Sequence, residues 1–67
     1  MTELDLAGVP CPLNWVRTRL ALEALASGEE LRVRLDPGEP HESVARSAEE
    51  EGHAVEREGE RMRIVRR

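Results

Sequence analysis

With 67 residues, a net charge of −4 and a single cysteine, the chain cannot form an internal disulfide and has no Cys/His cluster for structural zinc. Every basic residue is an arginine, which excludes a lysine Schiff base, and Trp15 is the sole aromatic, so there is no platform for base stacking and direct nucleic-acid binding is not expected. The length fits one small domain, residues 1–67, near the lower limit for a core held by packing alone.

Met1-Thr2-Glu3-Leu4-Asp5 lacks the basic start and apolar stretch of a signal peptide, and no apolar run approaches membrane-spanning length. Together with the free thiol, this leads us to expect a protein of the reducing cytoplasm without a membrane partner. Glu3-Leu4-Asp5-Leu6-Ala7 alternates polar and apolar residues, which predicts a short strand with Leu4 and Leu6 on one face, broken at Gly8.

Pro12 suits the first turn of a helix, and residues 13–26 hold no breaker before Ser27-Gly28. Projected at roughly 100° per residue, Asn14, Trp15, Thr18, Ala21, Leu22, Leu25 and Ala26 share a charge-free arc expected to face the core. Arg17, Arg19 and Glu23 fall on the other side, where Leu13, Val16 and Leu20 form a second apolar stripe close to Cys11. The plainer and favoured reading packs Val16 and Leu20 against a second helix; the alternative leaves part of the stripe, Leu13 above all, exposed as a docking patch.

Glu30-Leu31-Arg32-Val33-Arg34-Leu35 alternates again and predicts a second strand, parallel to the first through a right-handed βαβ connection, with Leu31, Val33 and Leu35 inward. Asp36-Pro37-Gly38-Glu39-Pro40 is a loop by composition. A second helix is expected from near Pro40 or His41 to before Gly52; with only Val44, Ala45 and Ala48 as apolar content it is predicted to be short, largely exposed and weakly held. His53 to Arg57 and Arg61 to Arg66 then read as a hairpin turning at Glu58-Gly59-Glu60, with Val55 inward on one strand and Met62 and Ile64 sharing a face of the other. The order βαβαββ predicts an α/β two-layer sandwich: a four-stranded mixed sheet with two helices on one face and arginines on the partly open one.

The cysteine lies between two prolines at the head of the predicted first helix, in Pro10-Cys11-Pro12. A thiol acts as a nucleophile only as thiolate, and the unpaired N–H groups of a helix start favour the anion, so a lowered thiol pKa is predicted for Cys11, with Arg17 and Arg19 adding positive charge. The competing reading of a free cysteine is an inert, buried small apolar residue. His41 and His53 have no metal-site spacing and read as surface residues; Asp36 and Glu39 read as turn caps rather than paired acid–base carboxylates. Arg61, Arg63, Arg66 and Arg67 read first as a solvated edge strand, then as a surface for an acidic protein, and last as an RNA contact.

Leu4-Asp5-Leu6-x-Gly8-x-x-Cys11-Pro12, followed by a helix and by Ser27-Gly28-Glu29 leading into a strand, resembles the TusA/SirA-like sulfur-carrier family. The likeness runs on through the Asp36 loop, the second helix and the closing hairpin. It implies a βαβαββ sandwich in which Cys11 accepts sulfane sulfur as a persulfide from a cysteine desulfurase or rhodanese-type donor and passes it to a thiol of an acceptor protein. Gly8, Pro12 and Asn14 fall in the motif that positions Cys11, and Leu13 and Arg17 lie near the expected docking surface. Asn14 stands where the family's Cys-Pro-x-Pro motif has its second proline. Neither cofactor nor metal is called for, because transfer between sulfurs follows thiol–disulfide exchange and needs no acid–base dyad. The alternative function on the same fold is a non-catalytic regulatory or interaction module.

Overall fold

The computed structural model describes residues 2–67. Its elements are β1 (Thr2–Asp5), α1 (Leu13–Glu23), β2 (Glu30–Arg34), α2 (Glu39–Glu50), β3 (Ala54–Glu58) and β4 (Arg61–Val65), the βαβαββ order expected from the sequence. The four strands form one mixed sheet ordered β1-β2-β4-β3, parallel between β1 and β2 and antiparallel elsewhere. Both central strands bury every second residue: Leu31 and Val33 from β2, Met62 and Ile64 from β4. Opposed in register as Leu31↔Ile64 and Val33↔Met62, they form the floor of the core.

The two helices close that floor. From α1 the fully buried residues are Asn14, Thr18 and Leu22; from α2 they are Val44, Ala45 and Ala48, joined by the mostly buried His41. The expectation of a short, weakly held second helix therefore fails. Small side chains let α2 approach the sheet closely, so three modest residues hold its second and third turns, with His41 buried at the first. His41 is likewise not a surface residue: its Nε2 donates to the Arg61 carbonyl at 3.3 Å, tying α2 to β4. Gly52, with φ +92°, continues past the helix end in the left-handed region that glycine tolerates.

Helix α1 is shorter than residues 13–26. Ala24 and Leu25 already bond back three residues, to Ala21 and Leu22, and Arg66 Nη1 donates to the carbonyls of Leu22 and Leu25 at 2.7 Å each. A cation from the chain's end thus caps the helix where its carbonyls run out, and Ala26 lies beyond it, exposed. Arg66 is therefore committed to the fold rather than free for a partner. The edge-strand reading of the basic C-terminal segment is also overturned, since β4 lies between β2 and β3. Alternation gives a strand's faces but not its place in the sheet.

On the outside, Arg57 of β3 pairs with Glu42 at 2.9 Å and with Glu49 at 3.4 Å, both from α2. The hydrogen bond from Arg57 holds the Glu42 carboxyl below its ordinary value of 4.5. A depressed carboxylate contributes stability above its unfolded-state value and loses it as pH falls through the folded one. The melting temperature of Glu42→Gln should accordingly sit slightly below wild type at neutral pH, with the gap closing below pH 4.5. Thermal melts of both proteins across that range check this.

Candidate functional site

The segment between β1 and α1 is held at four points. Leu6 is buried and its N–H continues the sheet to the Arg34 carbonyl at 2.8 Å, while Val9 packs on the core. The Val9 N–H closes a turn on the Leu6 carbonyl at 3.0 Å; Gly8, at φ +79°, occupies the position of that turn that needs a positive φ. A Cβ on Gly8 would meet nothing within 4 Å, so backbone conformation rather than space calls for glycine. The Gly8 N–H donates to Asp36 Oδ2 at 2.9 Å, which braces this loop against the one after β2. Asp36 is thus a cap, as its turn setting suggests, but one acting across 28 residues of sequence, which no local pattern reveals.

From this braced turn Pro10, Cys11 and Pro12 stand exposed, with Cys11 a free thiol. The reading of the cysteine as a buried apolar residue is thereby excluded. The Cys11–Pro12 peptide bond is cis, and α1 begins directly after it at Leu13. The helix start is more occupied than an open anion site would be. Asn14 N–H donates to the Pro10 carbonyl at 3.0 Å, Val16 N–H to the Pro12 carbonyl at 3.0 Å, and Trp15 N–H to the Asn14 Oδ1 at 2.7 Å. Of the first-turn amides only that of Leu13 has no partner among the described residues.

Asn14 is completely buried and its Nδ2 has no acceptor among the described residues, while its carbonyl takes the Thr18 hydroxyl at 2.8 Å. The fully buried contacts of α1 are therefore polar at its first two turns and apolar at Leu22, with Trp15 and Ala21 partly buried against the core beside them. Three large apolar side chains point the other way: Leu13, Val16 and Leu20 are 43%, 44% and 61% exposed. At roughly 100° per residue their stripe is centred about 180° from Asn14, Thr18 and Leu22. The packing of Val16 and Leu20 on a second helix does not occur, because α2 lies beside α1 in one layer and nothing covers the outer side. The exposed alternative is what the fold adopts, and it leaves an apolar strip leading along the helix from the thiol. Arg17 is exposed next to the strip, with no ion pair among the described residues; Arg19 pairs with Glu23 at 3.5 Å. His53 stands apart, its Nδ1 accepting the Arg67 N–H at 3.2 Å.

A mixed-sheet sandwich with an exposed cysteine at the head of its first helix is a known combination. Residues 2–67 match the family model described as Sulfurtransferase TusA. The chain belongs to the TusA sulfurtransferase family. A protein of Archaeoglobus fulgidus described as a candidate sulfur carrier is 44% identical over 61 residues, covering 87% of this chain and 69% of that one. One of Methanocaldococcus jannaschii, described in the same way, is 41% identical over 68 residues, covering 97% and 91%. In three dimensions this TusA-family fold superposes on the crystal structure of the SirA-like protein of Desulfitobacterium hafniense with a TM-score of 0.78 at 25% identity, over 97% of this chain and 96% of that one.

Proposed function

We propose that this TusA-family protein carries sulfur as a persulfide on Cys11 in a relay between two other proteins. The observation that carries the reading is the placement of the lone thiol: exposed on a loop braced by Gly8 and Asp36, at the head of a helix whose outer face is apolar. In the receiving step the Cys11 thiolate attacks the terminal sulfur of a donor persulfide. The bond between Cys11 Sγ and that sulfur forms, the donor's S–S bond breaks, and the donor leaves as thiolate. In the delivering step a thiolate of the acceptor attacks the outer sulfur and Cys11 leaves as thiolate. Electrons and atoms balance in both steps, and access is the main requirement, which the exposure of Cys11 meets. Pro12 and Asn14 start the helix beneath the thiol. The sulfur donor is a cysteine desulfurase or rhodanese-type protein, the acceptor a protein thiol, and the setting the cytoplasm. Incubation with a cysteine desulfurase and cysteine should add one sulfur atom to the intact mass; no adduct with donors of either type would sink the reading.

Leu13, Val16, Leu20 and Arg17 form the docking surface in this scheme. Each half-exposed aliphatic side chain gains on the order of 1 kcal/mol when a partner covers it. Leu20→Glu removes that gain and places a charge in the contact, so sulfur transfer at sub-saturating donor should slow by about tenfold or more. Its denaturation midpoint should match wild type, since Leu20 makes little core contact. Transfer kinetics beside a urea melt check both halves.

A further inference from the structure

The sheet face away from the helices carries a block of four arginines whose arrangement neither the sandwich nor the thiol explains. Register sets Arg32 opposite Arg63 and Arg34 opposite Arg61 on the two central strands, so like charges stand directly across from each other, which by itself destabilises a sheet. The same rows end in acids on the outer strands: Glu3 beside Arg32 and Asp5 beside Arg34 on β1, Glu56 beside Arg63 and Glu58 beside Arg61 on β3.

These acids do not serve the arginines equally. Arg34 pairs with Asp5 at 3.3 Å and with Glu60 at 3.4 Å, and Arg63 pairs with Glu30 and Glu56. Among the described residues, Arg32 and Arg61 have no carboxylate in ion-pair range and no hydrogen-bond acceptor for their side chains, and Arg32 Nε is buried without a partner. Both line a hollow of about 190 Å³, together with Arg34, Glu3, Leu4 and Asp5.

We propose that this hollow binds a compact oxyanion of the class of inorganic phosphate or sulfate, held by the guanidinium groups of Arg32 and Arg61 with Arg34 at its side. A guanidinium is a planar fork of donors matched to two oxygens of one anion. An anion between the diagonally placed Arg32 and Arg61, beside Arg34, supplies the negative charge that neither of the first two finds in an ion pair among the described residues. The dimensions argue for a small ligand. Neighbouring strands lie only about 4.8 Å apart, so the basic strip is two strands wide and bordered by acids on both sides. A nucleic-acid backbone or an anionic membrane lying across the sheet would cross those acidic rows. Glu3 and Asp5 at the rim repel a second negative group, which restricts the ligand to a single anionic head.

The test is a titration of the full chain with sodium phosphate, followed by amide and arginine Nε–H resonances, against sodium chloride at matched ionic strength. Saturable shifts confined to Arg32, Arg34, Arg61 and their strand neighbours are expected with phosphate and not with chloride. At ten times the Kd the melting temperature should rise by roughly 5–10 °C. The double variant Arg32→Gln/Arg61→Gln should lose both responses while Cys11→Ser keeps them, which separates this site from the sulfur relay; should the double variant be poorly folded by circular dichroism, Arg61→Gln alone should weaken the response at least tenfold. Shifts equal in chloride, shifts surviving in a folded variant, or signals moved only by a single-stranded oligoribonucleotide or by polyglutamate would each overturn the proposal.

Discussion

Cys11→Ser is expected to abolish sulfur loading while leaving the fold intact. The two halves of that result rest on different physics. Loading needs a sulfur that is both a good nucleophile as its anion and a good leaving group in the next step, and a serine hydroxyl is neither at neutral pH. The fold, by contrast, takes little from this side chain. Cys11 is exposed, and the loop is fixed by the buried Leu6, the packed Val9 and the Gly8–Asp36 hydrogen bond, so stability should change by no more than about 0.5 kcal/mol. Intact mass after incubation with a desulfurase and cysteine reads the first, and urea denaturation the second. A serine variant that still gains a sulfur atom would move the carrier role off this residue. The interaction-module alternative predicts instead a wild-type protein that takes up no sulfur and a partner complex indifferent to the substitution.

The central strands were legible because each has one buried face, and burial of one face imposes period two: Leu31 and Val33, Met62 and Ile64 follow it, while the outer strands contribute only the partly buried Leu4 and Val55. The core face of α1 was legible for a less usual reason, as the arc without charges rather than the arc richest in apolar residues, and Asn14 and Thr18 are indeed buried there. What stayed hidden depends on tertiary placement. The outer stripe of α1 looks like a packing surface in any helical projection; only a two-layer fold with α2 alongside leaves it bare. Counting apolar residues undervalues α2, because Ala45 and Ala48 matter through how closely they let the helix approach. Arg66 as a cap for α1 and Asp36 as a brace for Gly8 join residues distant in sequence, and β4 became central through pairing that alternation does not encode. The helix start, expected to offer free amides beside Cys11, engages most of them locally, with Asn14 using its side chain to take the Trp15 N–H.

Leu22→Ala should bring the protein to the edge of unfolding, and the inside-out composition of α1 is the reason. Leu22 is 2% exposed and is the only fully buried large apolar side chain that this helix sends into the core; Asn14 and Thr18, its companions on that face, are polar. Truncating a buried leucine costs about 2–5 kcal/mol, from lost transfer energy and the cavity left behind. A domain of this size seldom draws more than about 3–5 kcal/mol from its core, so the loss is comparable with the whole stability. Leu20→Ala, two positions earlier on the outer face and 61% exposed, should change the urea midpoint little. Equal midpoints for the two leucine variants would mean that α1 is not held through Leu22. If the difference appears, sulfur loading of Leu22→Ala should fall in step with its folded fraction and recover on cooling toward its temperature of maximum stability, because the helix that this leucine anchors is the one that presents Cys11.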